Sequence, residues 1–189
     1  MPPRVKITKE EIVKTALMLV RAGGEEAINA RTIAASLNCS TQPVFSNFCT
    51  MSELVGATVS AAYEVYLGFL KSEEESGKYP RYKSFGMAYI RFAIEESELF
   101  KMLFMRDRKR GELIPTSDFD ASVDIIIDSC GISRERAELM HLEMWTCVHG
   151  IAVMLATSFL SLEWELISNM LTDVYQGIRK RHLLEENGE

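Results

Sequence analysis

Apolar residues recur at three- and four-residue intervals along nearly the whole chain, the spacing of one face of an α-helix. Ile12, Ala16, Leu19 and Val20 form the first stripe. Thr8 and Glu11 precede it with the spacing of a capping box, in which the hydroxyl accepts from an unpaired amide and the carboxylate reaches back. Gly23-Gly24 predict its end, because glycine tolerates the left-handed residue of a helix stop. A second helix starts at Asn29, carries Ile33, Ala34 and Leu37, and stops at Asn38. Ser40 is placed to cap a third, with Pro43 in the first turn, where a missing N–H costs little, and Val44, Phe45 and Phe48 as its apolar face. Thr50 and Glu53 form another capping box, opening a long helix through about Lys71.

Beyond it, Glu73 to Pro80 is polar and breaks the pattern, and Glu73-Glu74-Glu75 reads as a solvated helix end. Helical spacing resumes over 81–96 and 98–105. Arg106 to Ser117 reads as a loop, with the basic cluster Arg106 to Arg110 in solvent. Helices follow over 119–129 (closed by Gly131), 133–160 (capped by Ser133) and 162–184. No strand pair or internal repeat breaks the helical periodicity, so the fold class is all-α.

The last two helices differ in kind. Ile167, Met170, Leu171, Val174 and Ile178 make a one-sided stripe. The helix before it is apolar nearly all round, from Met140 through Trp145 and Val148 to Phe159. Such a helix is buried on every side. One side facing the core and the other a second copy would make a four-helix dimer seam through residues 133–184.

Composition narrows the class. With 189 residues, 47% hydrophobic and 25% charged, the chain reads as folded and water-soluble. No unbroken apolar stretch approaches the roughly 20 residues of a membrane span, and no leader segment follows Met1, so a cytoplasmic protein is expected. Cys39, Cys49, Cys130 and Cys147 show no CxxC pair, which points to reduced thiols and to no metal site. The net charge of -6 is uneven: residues 1–55 carry six bases and five acids, so the acidic excess lies in the remainder. A near-neutral head on an acidic body suits contact with phosphate at one end only.

Two short helices separated by a tight turn, after a longer one, make a helix-turn-helix. The second would present its N-terminal side chains to the major groove: Thr41, Gln42, Pro43, Ser46 and Asn47. Gln and Asn can pair with adenine, and Thr can touch a thymine methyl. The Ser40 and Thr41 hydroxyls are placed for a phosphate.

The string Ile12, Ala16, Leu19, the glycine pair, Arg31-x-Ile33-Ala34, Ser40 to Phe48 and Glu53-Leu54 resembles the DNA-binding domain of TetR-family transcriptional regulators. Trp145-x-x-Val148-His149-Gly150 is similar to a motif in some C-terminal domains of that family. The resemblance implies an N-terminal three-helix DNA-binding domain over residues 1–52 and a helical effector-binding and dimerisation domain over 53–189. It implies a homodimeric regulator, most often a repressor, on a near-palindromic operator in double-stranded DNA, released by a small-molecule effector. By position, Thr41, Gln42, Pro43 and Ser46 would meet bases, and Asn47 and Arg31 phosphate or nearby bases. Two positions depart from the family pattern. Phe45 stands where Tyr usually bonds a phosphate, its ring expected to pack inside the head with its para edge toward a phosphate. Met51 stands where Lys is common. Arg4, Lys6 and Lys9 would compensate from an N-terminal arm.

Phe85, Tyr89, Met102, Met105, Met144, Trp145 and His149 are the candidate effector-pocket lining, a soft aromatic and thioether set suited to an adaptable cavity. His141 and His149 read as core histidines bonded to neighbours, and His182, near the end, as exposed. No cofactor is expected. No paired carboxylates, Ser/His/Asp order or glycine-rich phosphate loop converges, so an enzyme is not expected. The alternative is a ligand- or protein-binding sensor of the same fold that has lost specific DNA binding.

Overall fold

A computed structural model describes residues 7–105 and 116–186. All regular structure among them is helical: α1 (Lys9–Gly23), a 3-10 turn (Glu25–Ala27), α2 (Ala30–Ser36), α3 (Gln42–Asn47), α4 (Met51–Ser76), α5 (Arg81–Glu95), α6 (Ser97–Phe104), α7 (Thr116–Cys130), α8 (Arg134–Ala156) and α9 (Trp164–Glu186). The all-α expectation holds. Arg4, Lys6 and the cluster Arg106 to Arg110 lie outside the described residues.

Boundaries follow capping chemistry where it was legible. The Thr8–Glu11 box forms in both directions, and Asn38 takes a positive φ of 50° after α2. Ser133 caps α8 by accepting from the Arg136 amide. Glu53 accepts only half of its expected box: its amide donates to Thr50 Oγ1 at 3.1 Å, while its carboxylate takes the Cys49 N–H at 2.9 Å. The N-cap of α3 is Thr41 rather than Ser40, and its side chain makes no capping bond. Helix α4 runs to Ser76, past the expected stop near Lys71. Helix α7 includes Thr116 and Ser117, which the sequence pattern places in the loop.

The chain divides into two compact units, one within Met1–Gly68 and Glu95–Arg106, the other within Phe69–Ile94 and Asp107–Glu189. In the first, α1 packs on α2 and α6, and α2 on α3. Its buried residues include Ile12, Ala16 and Val20 of α1, Ile33 of α2, Val44 of α3, and Leu99 and Phe100 of α6. Arg21 grips Glu96 with a two-pronged bond, Nε to Oε2 at 2.8 Å and a terminal N–H to Oε1 at 2.6 Å.

In the second unit, α8 packs on α7 and α9. Val123, Ile126, Ile132, Ala137 and Met140 form a buried cluster, flanked by Tyr82, Phe119 and Tyr175. Gly86 lets α5 come close: a Cβ there would lie 3.3 Å from Val148 and 3.4 Å from Leu171. Helix α8 is long and apolar enough to cross a membrane by length and composition, a weak sign in a helix that also carries core residues. Its apolar surface is not all enclosed within the chain. Met140, Met144, Val148 and Ile151 are buried, whereas Leu139 and Leu142 are 48% and 50% exposed.

Gly24 ends α1 with φ 75° and ψ -178°, a region open essentially to glycine alone, and Glu98 Oε2 lies 3.2 Å from where its Cβ would be. Gly24→Ala should therefore cost about 1–3 kcal/mol of unfolding free energy in urea. Gly56, inside α4 with nothing near its missing Cβ, is the control. Gly56→Ala should stabilise by about 0.5–1 kcal/mol. Equal effects at the two glycines would refute the conformational argument.

Candidate nucleic-acid interface

The turn between α2 and α3 is built by backbone bonds. Asn38 N–H donates to the Ala35 carbonyl at 3.1 Å and Cys39 N–H to the Ala34 carbonyl at 2.9 Å. The start of α2 is held by a reciprocal box between Asn29 and Thr32, and the Thr32 hydroxyl also donates to the Ala27 carbonyl at 2.7 Å. Helix α3 is anchored by Val44 and Phe48, four residues apart and both buried. That phase turns Gln42, Phe45 and Ser46 outward; Ser40 and Arg31 are also exposed, while Thr41, Pro43 and Asn47 are half-buried.

Several of the expected contact groups are already occupied. Ser46 Oγ donates to the Gln42 carbonyl at 2.9 Å. Asn47 Nδ2 donates to the Pro43 carbonyl at 2.8 Å and to the Ile7 carbonyl at 3.3 Å. Lys9, expected in the arm, is the first residue of α1: its Nζ bonds Glu53 Oε1 at 3.1 Å and lies 4.7 Å from the centre of the Phe48 ring. The Cys49 amide, then the Lys9 ammonium, hold the Glu53 carboxyl below its ordinary range.

Phe45 corrects an expectation. Its ring was to pack inside the head, yet it is 56% exposed. The reason is helical phase: inward positions four apart are filled by Val44 and Phe48, and a residue one step after Val44 points about 100° away.

Of the seven expected pocket residues, Met102 and Met105 belong to the first unit and the other five to the second. Tyr89 and Met144 are buried, and Phe85, Trp145 and His149 half-buried. The Tyr89 hydroxyl lies 2.8 Å from His149 Nδ1, and the Trp145 ring stacks on His149 at 4.9 Å, 9° from parallel. An open cleft of about 300 Å³ lies on α9, lined by Gln176, Arg179, Lys180, Leu183 and Leu184.

His141 and His149 are each bonded to a tyrosine of α5, as expected of core histidines; Tyr82 OH is 2.9 Å from His141 Nδ1. His182 is not exposed as expected but fully buried, with Nε2 3.1 Å from Glu143 Oε2. Burial pushes the Tyr82 phenol up and the His141 imidazole down, from 6.5 to about 4. The folded state thus prefers a neutral His141, and unfolding takes up a proton between those two pH values. The associated stability is complete above pH 6.5 and is lost as pH falls toward 4. His141→Phe should flatten that limb of a plot of urea midpoint against pH; an unaltered limb would assign the titration to another group.

No protein-family model matches the chain, and no curated protein matches it. Among solved structures, the chain is similar to one described as a member of the TetR family from Streptomyces coelicolor A3. The two are 15% identical, the match covers 88% of this chain and 96% of that one, and the TM-score is 0.63. The chain has the fold of that protein.

Proposed function

We propose that this chain, sharing the fold of a TetR-family member, is a homodimeric DNA-binding transcriptional regulator, a repressor released by a small-molecule effector. The observation that carries the reading is the short helix α3, which follows a tight turn and presents Gln42 outward with Ser40 and Arg31 nearby in the chain. Residues 1–52 act as the DNA-binding domain and 53–189 as the effector and dimer domain. Gln42 reads a base edge, Thr41 and Pro43 contact neighbouring bases, and Arg31 and Ser40 hold phosphate. The two-fold dimer requires a near-palindromic operator, with half-sites about 34–36 Å apart or a whole-turn multiple of that.

The test is a gel shift with DNA flanking the chain's own gene. Gln42→Ala should lose about 1–3 kcal/mol on the specific duplex and leave non-specific binding unchanged. A well-folded dimer that binds no DNA would favour the sensor instead. One observation supports that second reading: Lys9, Ser46 and Asn47 are all engaged within the head, and Phe45 has no hydroxyl.

A further inference from the structure

We infer that Phe45 is a specificity-determining residue that reads the C5-methyl group of a thymine beside the base read by Gln42. The inference rests on the regulator reading above and adds a base preference to it. Phe45 is 56% exposed, while Val44 and Phe48 on either side of it in the chain are buried. The ring therefore adds little to the core of the head. Nor can it bond a phosphate, because it carries no donor. An apolar side chain in the major groove has one apolar group to meet on a base pair of unmodified DNA, the thymine methyl.

The neighbours on α3 narrow the face further. The Ser46 hydroxyl is bonded to the Gln42 carbonyl and the Asn47 amide to two carbonyls, so the outward groups left on α3 are the Gln42 amide and the Phe45 ring. They are three residues apart, which places their Cβ atoms about 5–6 Å from each other on one helix face. Base pairs are stacked about 3.4 Å apart, so the two side chains address positions one or two steps apart. The Gln42 amide matches the donor and acceptor of adenine, and the ring matches thymine. Each half-site should then hold an adenine with a thymine methyl one or two pairs away.

The experiment is selection from a random duplex library with the full-length protein, followed by synthesis of the winning duplex with uracil in place of thymine, one position at a time. Uracil lacks only the methyl group. Wild type should weaken about three- to tenfold at one position in each half-site, the scale of one buried methyl group. Phe45→Ala should weaken by a similar factor on the thymine duplex and show no further loss with uracil. Selection that enriches no motif would overturn the regulator reading and this inference together. An enriched motif that tolerates uracil everywhere, or a uracil penalty that survives in Phe45→Ala, would overturn this inference alone.

Discussion

In the proposed homodimeric regulator, Leu142→Glu should yield a monomer and remove high-affinity operator binding. Leu142 is 50% exposed on α8, and Leu139, three residues before it, is 48% exposed. Thr146, Gly150 and Val153 continue the same face at helical spacing, and nothing lies within 4 Å of where a Gly150 Cβ would be. A stripe of leucines with small residues among them, left open on a helix whose other side is core, fits a symmetry mate that can approach closely. Around a two-fold axis each substitution acts twice. Each leucine has about half its surface left to bury, about 0.8–1.5 kcal/mol, so the pair accounts for about 1.5–3 kcal/mol, and two carboxylates taken out of water in the seam add several kcal/mol more. Dimerisation should weaken by at least about a hundredfold. Operator affinity should fall with it, because a monomer engages one half-site. Leu142 is half-exposed and lies outside its own subunit's buried core, so circular dichroism and non-specific DNA binding should be largely preserved. A variant that still sediments as a dimer at micromolar concentration would exclude this face of α8 from the seam.

Element order and caps were legible because they depend on local chemistry. The Thr8–Glu11 box, the Ser133 cap and the positive φ at Asn38 and Gly131 are decided within four residues of the chain. The differences in burial have one physical cause. The exposure of Phe45, Glu73 and His182 was inferred from residue type or from position in the chain, whereas helical phase decides it. Glu73 lies seven residues, two turns, after buried Tyr66 on α4. His182 lies on α9 eleven and fifteen residues beyond buried Leu171 and Ile167, three and four turns on. Phe45 is one step out of phase with Val44. Following the stripe through each helix would have placed all three. The partners could not have been found that way: Arg91 is eighteen residues from Glu73, and Glu143 is thirty-nine from His182. A side chain such as Asn47 also gives no sign, in sequence, that its amide is engaged by the Ile7 carbonyl, forty residues away.

The largest stability loss among these predictions belongs to Glu73→Ala. The Glu73 side chain is 5% exposed and its Oε2 accepts from an Arg91 terminal N–H at 2.6 Å; the guanidinium also lies 5.2 Å from the centre of the Phe69 ring. Phe69 in turn meets Phe92 edge-on at 5.4 Å. A carboxylate this far out of water persists because a cation shares its site. Removing it takes from Arg91 its partner at 2.6 Å, and breaking a fully buried pair costs about 3–5 kcal/mol. Arg91 keeps 30% of its side chain in solvent, which places the expected cost near the lower end, about 3 kcal/mol. That is a large share of the 5–15 kcal/mol that holds a typical domain together. A double substitution distinguishes a broken charge pair from lost packing. Glu73→Met combined with Arg91→Met removes both charges at similar volume and should recover part of the stability lost in Glu73→Met, since apolar replacement of a buried pair is often neutral. Urea unfolding of the single and double variants measures the coupling directly. If the double variant is no more stable than Glu73→Met alone, packing rather than charge holds the α4 carboxylate in place.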